Sequence, residues 1–112
     1  MSRPALQVFK ADFFRALAHP IRIRILETLG TGEFSVQELQ QTLQLEQPVV
    51  SQQLAVLRNK KVVTPRKVGT TVRYALSDPL ITRLLSVARE IFNNHLVDTH
   101  SMLKELRRET RR

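Results

Sequence analysis

From Gln47 to Leu76 the chain reads QPVVSQQLAVLRNKKVVTPRKVGTTVRYAL, a helical pattern running straight into a strand-turn-strand pattern. This stretch holds Arg58, Lys60, Lys61, Arg66, Lys67 and Arg73 and not one Asp or Glu, in a chain whose formal net charge is +8. A run of one sign is commonly a solvated face or a disordered tail. Here apolar residues recur between the charges at regular spacing, so the segment folds and its charge must lie on a surface. A folded basic surface of this density calls for a polyanion, of which nucleic acid is the commonest.

The helix in this stretch has a readable outward face. At 100° per residue, Val50, Gln53, Leu54 and Leu57 cluster on one side, with Val56 at its margin. Pro48, Gln52, Ala55 and Asn59 cluster on the other, flanked by Ser51. Pro48 is placed to open the helix, because proline at the first helical position gives up only an N–H that had no partner. The outward face is small and amide-rich, and its charges begin only at the helix end and on the hairpin. An ordinary amphipathic surface helix is the plain alternative. A helix that lies in the major groove wants this chemistry, with small residues for close approach, Gln or Ser for base edges and cations at the rim for phosphates.

At 112 residues the chain suits one domain, with a small core unless it associates. Its composition, 42% hydrophobic and 25% charged, is that of a globular protein. It has no cysteine, which excludes disulfides, thiolate metal sites and thiol redox sensing. No apolar run reaches the ~18 residues of a membrane span, and Met1–Lys10 lacks the apolar core of a signal peptide. A cytoplasmic protein with no membrane partner is expected.

Before the basic stretch, Pro4 to Ala18 carries Leu6, Phe9, Phe13 and Leu17 at helical spacing, with Val8 and Phe14 beside them. That is more apolar surface than a peripheral helix needs, and it predicts a share in a subunit contact. His19-Pro20 breaks this helix and starts another through Ile21, Ile25, Leu26 and Leu29, ended by Gly30 and Gly32. His19 reads as a capping or turn residue. Ser35-Val36-Gln37-Glu38 is a capping box, starting a short helix that packs Val36, Leu39 and Leu43 inward. Gln44 to Gln47 then turns the chain into the amide-faced helix. Two short helices so joined, the second bearing a polar face, make a helix-turn-helix. Val62–Pro65 and Thr71–Leu76 read as strands with Lys67–Thr70 as their turn, and Pro65 assigns its strand to an edge.

After the hairpin, Asp78 and Pro79 open the last helix as cap and first helical residue. Ile81, Leu84, Leu85, Ala88, Ile91, Phe92, His95, Leu96, Thr99, Met102, Leu103 and Leu106 fall on one stripe about 140° wide. A domain this small cannot cover such a stripe, so it predicts a homodimer with the helix packed on its twin. Leu84, Ala88, Ile91, Phe92, His95 and Met102 are the expected interface. Glu105, Arg107, Arg108, Glu109, Arg111 and Arg112 form a polar end, expected to fray.

Three collinear blocks resemble the ArsR-type (ArsR/SmtB) bacterial winged-helix repressors: Leu17 to Leu26 (LAHPIRIRIL), Val50 to Arg58 (VSQQLAVLR) and Lys67 to Tyr74 (KVGTTVRY). The resemblance covers nearly the whole chain. It implies a mainly α fold with a small β-hairpin, ordered α-α-α-α-β-β-α, in which 1–112 is a single DNA-binding domain. The helix-turn-helix would span about 35–60, the wing about 62–76 and the dimerising helix about 79–108. It also implies a dimeric repressor on double-stranded DNA. Gln47, Pro48, Ser51 and Gln52 occupy the positions that face DNA bases in the family, in agreement with the helical wheel. Arg58, Lys67, Thr70, Thr71 and Arg73 are the expected backbone and wing contacts. Gln44 and Lys61 stand where glycines are common in relatives.

Many members of that family bind a metal between paired last helices, through an acidic residue and a His early on and a His-x-x-His or His-x-x-Glu pair further along. His95-x-x-Asp98 imitates the second pair only. The first is missing, since Leu80 follows two residues after Asp78, which already serves as a cap. Ser35 and Gln37 stand where a second type of site would have cysteines. No metal and no cofactor is therefore expected, His95 is read as a buried seam residue, and metal-responsive derepression stays a lesser alternative. Other function classes fare worse. A binder of RNA or single strands would interleave aromatics with its cations, yet Tyr74 is the only aromatic between Gln47 and Leu76. A protein-interaction module would not need so many cations around the polar face. For an enzyme there is neither a cysteine nor a pair of loop carboxylates. The expected function is a sequence-specific regulator, a repressor on an inverted-repeat operator, whose effector is unknown.

Overall fold

A computed structural model describes residues 5–110, the side chain of Val97 excepted. Pro4, Arg111 and Arg112, which the sequence pattern draws into the terminal helices, lie outside the described residues. The elements run α1 (Ala5–Leu17), α2 (Pro20–Leu29), β1 (Phe34–Ser35), α3 (Val36–Leu43), α4 (Gln47–Asn59), β2 (Val63–Val68), β3 (Thr71–Leu76) and α5 (Leu80–Thr110). The chain divides after Ile81 into two compact units.

In the first unit α2, α3 and α4 bury one apolar row each. Ile25, Leu26 and Leu29 of α2, Leu39 and Leu43 of α3, and Val50, Leu54 and Leu57 of α4 are all buried, together with Val62 and Val63 at the start of the sheet. Leu54 is 1% exposed, Leu39 and Leu57 not at all, so truncating any of them to Ala costs about 2–5 kcal/mol by the usual cavity rule. His19 caps α2 as expected, its Nδ1 accepting the N–H of Ile21 at 3.1 Å. Ser35 and Glu38 form the reciprocal capping box of α3. Two longer reaches close helix ends. Arg22 donates to the Ala16 carbonyl at 3.0 Å, and Arg24 to the Leu43 carbonyl at 2.8 Å.

The two helices of the helix-turn-helix end alike. At the end of α3, Gln44 takes a left-handed conformation with φ 54°, and the N–H of Leu45 donates back to the Gln40 carbonyl at 3.1 Å. At the end of α4, Lys61 does the same with φ 62°, the N–H of Lys61 donating to Arg58 at 3.0 Å and that of Val62 to Leu57 at 2.9 Å. These are Schellman turns, in which the left-handed residue is ordinarily glycine. The two positions where Gln44 and Lys61 replace a common glycine are thus the only non-glycine residues with positive φ among the described residues. The turn geometry is kept, with a side chain added where a glycine would be unstrained.

Several details depart from the sequence-based expectation, among them the start of α5 at Leu80, one residue after Pro79, and a β2 that runs on to Val68. A short strand, β1, precedes α3 and pairs with β3, so the hairpin becomes a three-stranded antiparallel sheet in the order β1-β3-β2. The element order is therefore α-α-β-α-α-β-β-α. The turn of the wing is also tighter than Lys67–Thr70. Lys67 pairs with Val72 and Val68 with Thr71, leaving a two-residue turn of Gly69 and Thr70. Gly69 has φ 62° and Thr70 no positive φ, the pattern of a type II′ turn with glycine first. Finally, Pro48 is the second residue of α4, after Gln47; at that position too the missing N–H costs no helical bond. Pro65 lies in β2 at the sheet's edge, as expected.

One carboxylate ties the sheet together. Arg66 and Arg73 face each other directly across β2 and β3, and like charges so placed repel. Glu33, just before β1, sits against both. It accepts two bonds from Arg66, Nη2 to Oε1 at 2.5 Å and Nε to Oε2 at 3.0 Å, while Arg73 Nη2 donates to its carbonyl at 2.8 Å. Arg73 also reaches Glu38 Oε1 at 3.0 Å, joining the capping box of α3 to the wing. The hydrogen bonds from Arg66 hold the Glu33 carboxyl below its ordinary pKa; for Glu38 the chief cause is the N–H of Ser35.

In the second unit, α5 is one helix of 31 residues, roughly 46 Å long. The side chain of Asp78 accepts the N–H of Leu80 at 2.9 Å, the expected cap. Ile91, Phe92 and Met102 are 60%, 63% and 64% exposed, and Leu96, Leu103 and Leu106 are exposed with them. Leu84 and Ala88 are half-buried, while His95 and Asp98 are exposed in the single chain.

Two measurements probe this architecture. Gln44→Gly and Lys61→Gly should each raise stability by about 0.5–1 kcal/mol, the relief of a left-handed side chain less the added freedom of the unfolded chain; urea unfolding reads this directly. The second concerns acid. Glu33 and Glu38 have lowered folded-state pKa values, so their contribution is present above the unfolded value of about 4.3 and disappears as the pH falls through the lowered one. Glu33→Gln should therefore lower Tm at about pH 6, and the difference from wild type should shrink as the pH falls through the lowered pKa. A difference that persists undiminished in acid would show that its charge is not what holds the sheet.

Candidate nucleic-acid interface

The outward face of α4 is determined by its inward one. With Val50, Leu54 and Leu57 buried, the opposite side carries Gln47, Pro48, Gln52, Ala55 and Asn59, all exposed, with Ser51 half-buried. Gln53 points the other way; its Oε1 is buried without a partner. None of the outward side chains is charged.

Cations ring this face. Arg58, Lys60 and Lys61 follow at the end of α4, and Lys67 stands on the wing, all exposed. No ion pair involves any of these four among the described residues. The six cations of the basic stretch are thus divided: four remain uncompensated, and Arg66 and Arg73 are paired with Glu33 and Glu38. Sequence position sets Arg73 on the wing beside Lys67 as an expected DNA contact. Its guanidinium is instead half-buried and turned to Glu33 and Glu38, because the β1 pairing brings those carboxylates alongside. The sequence carries no local sign of this, since Glu33 lies 33 residues from Arg66 and 40 from Arg73.

Thr70 and Thr71 are exposed at the wing tip with Val68 and Val72. Between α4 and the sheet lies an open depression of about 520 Å³, lined by Val36, Ser51, Ala55, Arg58, Asn59, Lys61 and Tyr74. Sequence reasoning does not bring Val36 or Tyr74 to this surface. Val36 arrives through β1, whose pairing sets the start of α3 beside β3, and Tyr74 is carried by β3 itself. Among the described residues no group of three or more His, Cys or acidic side chains is arranged to hold a metal ion, and no helix is long and apolar enough to cross a membrane.

Known proteins share this fold. A helix-turn-helix domain family model matches residues 17–66. The chain is 44% identical over 108 residues to Rv0081 of Mycobacterium tuberculosis, an uncharacterized HTH-type transcriptional regulator, covering 96% of this chain and 95% of that one. The crystal structure of Rv0081 superposes with a TM-score of 0.77, covering 88% of this chain and 98% of that one. A biofilm growth-associated repressor of Agrobacterium fabrum is 39% identical over 92 residues, covering 82% of this chain and 77% of that one. The homodimeric winged helix-turn-helix DNA-binding domain of Mb0332 from Mycobacterium bovis, a possible ArsR-family regulator, has a TM-score of 0.74 at 27% identity, covering 82% of this chain and 85% of that one. With its helix-turn-helix, its wing and these relatives, the chain belongs to the ArsR/SmtB family of winged helix-turn-helix transcriptional regulators.

Proposed function

We propose that this regulator is a homodimeric repressor, acting in the cytoplasm on an inverted-repeat operator in double-stranded DNA. The observation that carries the reading is the uncharged, exposed face of α4 within its ring of free cations. Gln47, Pro48, Ser51 and Gln52 read base edges in the major groove, where a Gln amide can donate to and accept from adenine. Arg58 and Lys67 take phosphates, and Thr70 and Thr71 place the wing tip against flanking DNA. Arg73 acts here as a strut that holds the wing to α3. Repression is favoured by the name of the Agrobacterium relative, and a dimer by that of the Mb0332 domain.

The second half of the reading is the seam. Leu84, Ala88, Ile91, Phe92, His95 and Met102 pack against their counterparts on a second α5, covering an apolar stripe too long to leave in water. His95 is a seam residue in this arrangement rather than a metal ligand. Dimerisation gives two α4 helices related by twofold symmetry, which is what an inverted repeat matches.

Sedimentation and DNA titration test the two halves. Leu84→Glu with Ile91→Glu should yield monomeric or unfolded protein that no longer binds DNA, and a monomeric wild type in sedimentation would end the seam reading. Gln52→Ala should cost roughly 1–3 kcal/mol on the operator and almost nothing on a scrambled duplex. Lys67→Ala should weaken both duplexes alike and lower the salt slope by about 1 for each phosphate that each subunit no longer neutralises. Wild-type affinity should fall roughly a thousandfold or more between about 50 and 200 mM salt, as expected for some 6–10 neutralised phosphates. If Gln52→Ala weakens both duplexes equally, α4 is not the reader.

A further inference from the structure

Arg66 is an exposed cation of the wing that is already occupied. Its guanidinium meets the Glu33 carboxylate edge-on through Nε and Nη2, the planar two-bond fork that arginine also makes with a phosphate. Its side chain is nevertheless 61% exposed, so it stands where a DNA backbone along the wing could reach it. Arg73 differs. It is 29% exposed and has two further partners, the Glu38 carboxylate and the Glu33 carbonyl. Loss of the Glu33 charge would therefore free Arg66 and leave Arg73 held.

We propose that Glu33 acts as a built-in stand-in for phosphate, occupying Arg66 so that Lys67 is the wing cation left to grip DNA. This rests on the DNA-binding reading above and deepens it. Phosphate contacts strengthen binding to every sequence alike and carry no sequence information. By withholding one, Glu33 lowers the hold on random DNA and the steepness of the salt dependence, while the ratio between operator and random duplex is left to α4.

The test is a double-mutant cycle on a random duplex: wild type, Glu33→Gln, Arg66→Gln and the pair, each at several salt concentrations. Glu33→Gln should bind about three- to tenfold tighter at about 100 mM salt and steepen the slope by about 1.8 per dimer, one new phosphate for each subunit. Arg66→Gln alone should weaken binding less than Lys67→Ala does, because it removes no phosphate contact and only the uncovered Glu33 carboxylate then opposes DNA. The gain from Glu33→Gln should vanish in the pair, because Arg66 is the group it releases. A gain that survives without Arg66 would mean that Glu33 acts only through long-range charge, and the proposal fails. No gain at all in a folded Glu33→Gln protein overturns it equally. Should Glu33→Gln not fold, the single Arg66→Gln arm decides. A loss there as large as that of Lys67→Ala shows Arg66 on DNA despite Glu33, whereas a clearly smaller loss supports the stand-in. Failure of the reading helix would appear elsewhere, as operator and scrambled duplex bound alike by wild type, and the cycle on random DNA would still be readable.

Discussion

The burial of Val50, Leu54 and Leu57 decides nearly everything else about this molecule. These three side chains form a single row on α4 and are almost wholly removed from water against α2, α3 and the start of the sheet. A helix has only one opposite side, so their burial dictates that Gln52, Ala55 and Asn59 face outward. The identity of the presented surface is thus a consequence of core packing. Rotating α4 by one residue would bury an amide or expose a leucine, and either change is costly in a core this small.

Around that helix the structure keeps strict local rules with unusual residues. Both helices of the helix-turn-helix finish in Schellman turns, yet place Gln44 and Lys61 in the left-handed seats. The backbone bonds that define the turns are intact, and the buried pair Leu57 and Val62 supplies the hydrophobic contact that accompanies such a turn. At the second seat a lysine adds a cation next to the outward face of α4, which gives a physical reason to accept a small backbone strain there.

What could be read from the sequence was what depends on local spacing. The capping box at Ser35, the cap at His19, the apolar rows of α2 to α4, the edge position of Pro65 and the cap at Asp78 all follow from residues a few positions apart, and the structure has each of them. The outward residues of α4 were legible for the same reason. What was hidden depends on distance along the chain. A two-residue strand at Phe34 and Ser35 has no periodicity to detect, and it exists because β3 offers it an edge. Through it Glu33 reaches Arg66 and Arg73, so that a run which looks uncompensated in sequence is partly neutralised in space.

The sheet order has one more consequence, for crowding on DNA. A three-stranded sheet has two open edges, and regulators bound side by side would bring such edges close together at high local concentration. An open edge invites another strand to add to it. Here β1 is only two residues long, too short to template a partner. The other edge, β2, carries Pro65, which has no N–H to give, followed by Arg66 and Lys67. The wing can therefore lie exposed beside its neighbours without zipping to them, because the proline and the charged side chains of its edge disfavour an added strand.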